Sequence, residues 1–192
     1  MRILFLAHRI PYPPDKGDKI RSYQVLRYLA ERHEVHLACL VDSERDLQSA
    51  ENVRAIVKKL VYEPLPHLRQ KLGMAKSLIS GKPMTVHYFY SRTLQKKLKT
   101  LVKENHYDAL FVYSSNMAEY VSELDIPVKI IDYCDLDSQK FKQYAVMHRA
   151  PYSWLYKLEG KRLADYEIKA AETFDHVLFI GQEEKRWFNC NG

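Results

Sequence analysis

Three short stretches of this sequence gather the side chains that do chemistry. The first is Pro13-Pro14-Asp15-Lys16-Gly17-Asp18-Lys19, with Arg21 close behind. A glycine just before a helix leaves backbone N–H groups free at the positive end of the helix dipole, and that pairing holds anions. Lys16, Gly17 and Asp18 are therefore candidate binding residues; the alternative is a plainly capped helix with surface lysines. The same loop argues against a dinucleotide. It offers Gly17 together with Pro11, Pro13 and Pro14, where a GxGxxG fingerprint needs glycines to admit a pyrophosphate.

The second stretch, Ile131-Asp132-Tyr133-Cys134-Asp135-Leu136-Asp137-Ser138, sets Asp132, Asp135 and Asp137 close together at the end of an apolar run. Carboxylates leaving a buried strand suit hydroxyl recognition, proton transfer or metal binding. Asp137 or Ser138 is expected to cap the next helix. That leaves Asp135 as the candidate catalytic residue and Asp132 as a candidate binding residue. The third stretch is the turn Ser114-Ser115-Asn116. Ser114 and Asn116 could hydrogen-bond a sugar, and the same residue types also cap helices. The histidines and the separated Cys39, Cys134 and Cys190 show no metal-ligand spacing, so no metal is expected. Only His8 falls near these stretches.

The elements that must position these residues alternate. Arg2–Ala7 reads as a buried strand, and Asp18 is expected to cap a helix reaching about Arg32 with Ile20, Tyr23, Leu26, Leu29 and Ala30 as its apolar stripe. Strands follow over Val35–Val41, Leu60–Tyr62, Asp108–Tyr113, Val128–Asp132 and His176–Ile180. Helices are expected over 44–58, capped by Asp42 or Ser43, over Leu68–Ile79, from near Ser91, and over a long region from about Ser153 to Thr173 with a shorter helix before it. Gly181–Gly192 reads as the start of a further element. Strand–helix alternation implies an α/β fold: a Rossmann-like, doubly wound parallel sheet, ordered 3-2-1-4-5-6. Such sheets bind ligands beyond the carboxyl ends of the strands where the order reverses. The three stretches then share one crevice.

Composition bounds the partners. The formal net charge is +6 and the pI about 9.1, which suits anionic partners or simply a solvated basic surface. No nucleic-acid motif is present, so no nucleic-acid partner is expected. No signal peptide or spanning segment is legible, and the separated cysteines fit a reducing, cytoplasmic setting. The helix bearing Lys96, Lys97, Lys99 and Lys103 and the amphipathic stretch 67–80 are either peripheral membrane contacts or solvated faces.

The opening Arg2-Ile-Leu-Phe-Leu-Ala-His-Arg-Ile-Pro-Tyr-Pro-Pro-Asp-Lys-Gly-Asp-Lys-Ile-Arg-Ser22 resembles the N-terminus of the retaining GT-B glycosyltransferases, often called glycosyl transferases group 1. Val128–Ser138 with Lys140 and Gln143-Tyr144-Ala145, and Tyr166–Glu184, resemble the bacterial members tied to exopolysaccharide export. The likeness spans almost the whole chain. It implies that residues 1–192 form one acceptor-side domain and that a C-terminal domain, carrying a Glu-x7-Glu motif and most contacts to a nucleotide-sugar donor, lies outside this sequence. It also implies no cofactor beyond that donor, no metal, and a saccharide or lipid-linked acceptor at the inner face of the membrane. By resemblance, Lys16-Gly17-Asp18 lie near the donor diphosphate, and Asp135 stands where relatives carry a catalytic-site His or Asp. The family usually has two adjacent glycines in the first loop; here Gly17 stands alone. Without its other half the chain is expected to lack turnover. The alternative is a non-catalytic acceptor- or partner-binding module.

Overall fold

The computed structural model describes residues 1–65, 77 and 80–191. Six strands form one wholly parallel sheet: β1 (Arg2–Ala7), β2 (Glu34–Val41), β3 (Lys59–Pro64), β4 (Ala109–Tyr113), β5 (Val128–Asp132) and β6 (His176–Leu178). Their spatial order is β3-β2-β1-β4-β5-β6, a Rossmann-like doubly wound arrangement whose order reverses between β1 and β4.

Side-chain alternation explains the uninterrupted apolar runs. Leu4 and Leu6 face one layer with Leu40, Leu94, Leu98 and Val112, while Ile3 and Phe5 face the other with Leu26, Leu37, Val53 and Phe111. A strand covered on both faces has no solvent side to keep polar. Phe5 and Phe111, paired in register on neighbouring strands, stack with ring centroids 5.0 Å apart.

The helices depart from expectation in informative ways. Helix α1 (Gly17–Ala30) has Lys16, not Asp18, at its N-cap position, and no side chain bonds there. Its buried positions are Lys19, Ser22 and Leu26, whereas Ile20 is 48% exposed. The buried stripe is rotated because Lys19 donates to Asp46 at 2.6 Å beneath the helix. The helix expected over 44–58 splits at Ser49 into α2 (Glu44–Gln48) and α3 (Ala50–Arg54), and the Ser43 hydroxyl does accept from the Asp46 N–H.

The helix expected over Leu68–Ile79 lies outside the described residues, Ser77 apart. A short helix, α4 (Met84–Phe89), follows the left-handed turn at Gly81 (φ 74°). Ser91 caps α5 (Arg92–Glu104) by accepting from the Leu94 N–H. A 3-10 segment, Ser115–Glu123, follows β4. After β5 come α6 (Asp137–Met147) and α7 (Tyr152–Ala171), then α8 (Gln182–Asn191) after β6. No described helix is long and apolar enough to cross a membrane.

Two buried glutamates on α7 cap other helices. Glu159 accepts from the Met84 and Thr85 N–H groups at 2.8 and 2.9 Å and from the Thr85 hydroxyl. Glu167 accepts from the Ser138 N–H at 3.2 Å. The expected local cap of α6 by Asp137 or Ser138 is absent, because Leu136 holds the N-cap position and Asp137 is the first helical residue. A carboxylate near a helix start satisfies orphan N–H groups and complements the dipole, whatever its distance in sequence.

Candidate crevice at the carboxyl edge of the sheet

The loops after β1, β4 and β5 do meet, and they are stitched together by side chains. The Tyr113 hydroxyl, at the end of β4, donates to the Asp18 carbonyl at 2.9 Å and lies 3.0 Å from Cys134 Sγ. Arg21, from the second turn of α1, reaches across to Asp132 at the end of β5, 2.9 Å away. Asp132 is 1% exposed, and its other oxygen accepts from the Cys134 N–H at 2.9 Å. That local bond bends the chain sharply after β5, and Cys134 is left-handed at φ 60°. Ser114, ending β4, is left-handed too, at φ 80°. A side chain at positive φ is strained, and such residues collect where structure serves a site.

His8 directly follows β1 and packs where these loops meet. Its ring stacks on Tyr113 with centroids 6.0 Å apart and meets Phe89 edge-on at 5.3 Å. His8 Nε2 lies 3.4 Å from Asp18 Oδ2, which Arg9 also approaches at 3.3 Å. The hydrogen bond to His8 holds the Asp18 carboxyl well below the usual range, helped by the charges of His8 and Arg9 against the cost of burial. Asp18 therefore serves as an internal counter-ion, and it occupies the helix start where an external anion was expected. Lys19 and Arg21 are likewise engaged, with Asp46 and Asp132. Lys16 and Gly17 remain exposed at the first turn. Lys16 and the backbone groups at Gly17 are thus the part of that loop without an internal side-chain partner among the described residues.

On the β4 side, Asn116 is 3% exposed and donates to Asp137 at 2.9 Å and, more weakly, to Ser114 Oγ at 3.3 Å. Burial pushes the Asp137 carboxyl up, opposed by His8, Lys140 and the Asn116 amide. Asp135 is exposed at the mouth and makes no hydrogen bond or ion pair among the described residues. Of the residues expected from sequence, Asp18, Ser114, Asn116 and Asp132 are knitted into the crevice wall, while Lys16, Gly17 and Asp135 stand at its surface.

Several buried side-chain atoms on these loops and the helical segments that follow them lack partners among the described residues: His8 Nδ1, Ser115 Oγ, Asn116 Oδ1 and Gln139 Nε2. Each can bond a polar ligand or water. Sequence reasoning passed over Tyr113, gave Asp137 only a capping role, assigned no role to Cys134 or Gln139, and left His8 uncommitted. The available signal was position: His8 directly follows a strand, Tyr113 ends one, and Gln139 follows one within a turn of helix.

Other features lie elsewhere. An open concavity of about 620 Å³ sits at the amino edge, lined by Arg2, His33, Glu34 and Asp108. Another of about 320 Å³ lies over β3 and α5, where Lys97 pairs with Glu63. Among the described residues, no three His, Cys, Asp or Glu side chains gather as a metal site would require.

No protein-family model matches the sequence, and no curated protein matches it. Among solved structures, the N-terminal domain of trehalose-6-phosphate phosphatase from Candida albicans is similar, at 13% identity and a TM-score of 0.48. That likeness covers 99% of this chain and 42% of the other, so the chain spans less than half the length of that neighbour.

Proposed function

We propose that this chain is the acceptor-side half of a retaining GT-B glycosyltransferase of polysaccharide biosynthesis. The observation that carries the proposal is the group of unpaired buried polar atoms on His8, Ser115, Asn116 and Gln139, where three strand-end loops converge. A saccharide brings many hydroxyls that both donate and accept, and these atoms offer both complements. The resemblance of the first loop and of Val128–Ser138 supplies the reaction class.

In the complete enzyme the acceptor hydroxyl attacks the anomeric carbon of a nucleotide-sugar. The new bond forms from that oxygen, the bond to the diphosphate breaks, and the hydroxyl proton passes to the departing phosphate. Asp135, free at the mouth, orients the acceptor hydroxyl or the sugar. Lys16 and the N–H groups at Gly17 approach the leaving diphosphate, where preorganised positive charge lowers the barrier. The donor is held mainly by a second domain. The acceptor is a saccharide or a lipid-linked saccharide at the cytoplasmic face of the membrane.

The pairing of Lys19 with Asp46 and of Arg21 with Asp132 favours a second reading, a binding module without turnover, because it leaves few cations for a diphosphate. Calorimetry separates the two. The half-enzyme reading expects millimolar-or-tighter saccharide binding by this chain, lost in Asn116→Ala, with negligible nucleotide-sugar binding. It also expects sugar transfer once a GT-B donor domain is supplied. Tight donor binding by this chain alone overturns it; saccharide binding without turnover in the completed protein supports the module.

A further inference from the structure

Helix α7 ends near the amino side of β5, where the Asp175 N–H donates to the Lys129 carbonyl. Its 20 residues (about 30 Å) outrun the five-residue strand (about 17 Å), so its first turns, with the packed end of α6, extend past the carboxyl edge as a hairpin. The Tyr133 hydroxyl donates to the Glu167 carbonyl, and Glu167 takes the Ser138 N–H, so Glu167 lies level with the end of β5. From Glu167 back to Trp154, α7 runs outward for about 20 Å. Its partner α6 runs alongside. Gly160 permits the close packing, since a Cβ there would come within 3.2 Å of the Ser138 carbonyl. The rings of Phe141, Tyr144, His148 and Tyr156 lock the outer half together, with His148 and Tyr156 centroids 5.1 Å apart.

What the hairpin carries at its tip is not covered. Val146 is 88% exposed, Met147 75%, Trp154 72% and Tyr152 61%. Leu158 shares the Trp154 face one turn along, as do Lys157 and Lys161. Residues 140–162 hold six lysines and arginines against one carboxylate, Glu159, which is buried and engaged with α4. Lys140, Lys142, Arg149, Lys157 and Lys161 are exposed, and none forms an ion pair among the described residues. The lysine-bearing helix α5 contrasts with this: its buried positions are Leu94, Gln95, Leu98 and Leu101, and Lys97 and Lys99 are paired with Glu63 and Glu123.

We infer that the α6–α7 tip docks on an anionic lipid bilayer. Tryptophan and tyrosine flanked by aliphatic side chains and unpaired cations is the composition that settles at a membrane interface. The charge complements acidic headgroups, and a projecting tip meets a plane more readily than it fills a groove. The tip stands at the same end of the molecule as the crevice, so docking would bring the crevice toward the membrane surface. The inference stands apart from sugar transfer, because vesicle binding needs no turnover.

The test is sedimentation of the purified chain with phosphatidylglycerol-rich vesicles and with phosphatidylcholine vesicles. Binding to the acidic vesicles, with a blue shift of tryptophan emission absent in Trp154→Phe, is expected. Arg149→Gln combined with Lys157→Gln should weaken partitioning roughly 30-fold, since each basic residue near an acidic surface contributes about a factor of five. Met147→Ser with Trp154→Ser should weaken it about tenfold or more, and circular dichroism should show these surface variants folded. Lys96→Gln with Lys103→Gln on α5 should leave it unchanged. Absence of binding, equal binding to both vesicle types, or equal damage from the α5 pair overturns the inference. So does a dimer in ultracentrifugation that the tip variants dissolve, which would make a second copy the occupant.

Discussion

The two ends of the sheet are built to different standards. At the amino end no buried side-chain nitrogen or oxygen lacks a partner among the described residues. Buried His36 meets the Tyr107 hydroxyl at 2.7 Å, and even the half-exposed Arg2 is paired, its N–H with Asp108 at 2.6 Å and its side chain with Glu34 at 2.7 Å. At the carboxyl end His8, Ser115, Asn116 and Gln139 each keep a buried atom without one, and Ser114 and Cys134 are left-handed. An unmet buried group costs about 1–3 kcal/mol, so a cluster of them marks a region shaped by something other than stability. The comparison teaches where each end's residues should register when altered: in melting at one end, in ligand binding at the other.

The largest effect tests whether the carboxyl end is held together as described. Asp132→Ala removes the partner of Arg21 and the acceptor of the Cys134 N–H at once. Loss of about 4 kcal/mol is expected, below the upper range for buried ion pairs because Arg21 is one-third exposed and can rehydrate. Asp132→Asn keeps an acceptor for Cys134 and should lose about half as much. Denaturant melts decide it; an Ala variant within about 1 kcal/mol of the parent would remove Asp132 from the stitching.

Next is a pH effect confined to the same end. Burial pushes the Glu167 carboxyl up from 4.5 to about 7, against the Ser138 contacts that favour its charge. Between those values the folded chain holds a proton that the unfolded chain has released. Stability therefore falls as pH rises through that window, by roughly 3 kcal/mol in all. Glu167→Gln keeps an acceptor for the Ser138 N–H and carries no charge. Its melting temperature should stay flat from pH 4.5 to 7 where the parent's declines, and parallel curves would refute the assignment.

How much of this was legible before the fold was known depends on the range of the interaction. Arg2–Ala7 and Val128–Asp132 are strands with the bounds the sequence suggested, because apolar runs ended by turn-forming residues are local signals. Strand order followed from alternation. The positions of Asp18, Ser114, Asn116 and Asp132 at or beyond the carboxyl ends of strands were legible for the same reason. Their roles were not. Lys19 looks available to a ligand in the sequence, but Asp46, from α2, lies beneath it. Helix α4 carries no internal cap, and its start is held by Glu159, far along the chain. Pairing across such distances leaves no periodicity to read.

A smaller effect isolates the amino end. Tyr107→Phe strips the partner from His36 Nδ1, a ring nitrogen in a residue 4% exposed. About 1–2 kcal/mol of stability should be lost. Saccharide affinity in calorimetry should not move; a change there would mean the two ends are coupled.

The smallest effect has the opposite sign at the opposite end. Ser115 is 1% exposed and its hydroxyl has no partner among the described residues. Ser115→Ala removes a polar atom that the fold does not use, and the alanine fits the space without strain. Folding free energy should improve by about 1 kcal/mol, since the cost of keeping that hydroxyl from water disappears. If the hydroxyl is retained for a ligand, the same change should weaken saccharide binding by about tenfold, equivalent to one lost hydrogen bond. A variant both more stable and weaker in binding is the signature of a group kept for function. Should Ser115→Ala instead lose stability, the hydroxyl is satisfied within the fold, and the contrast between the two ends narrows at the residue where it is sharpest.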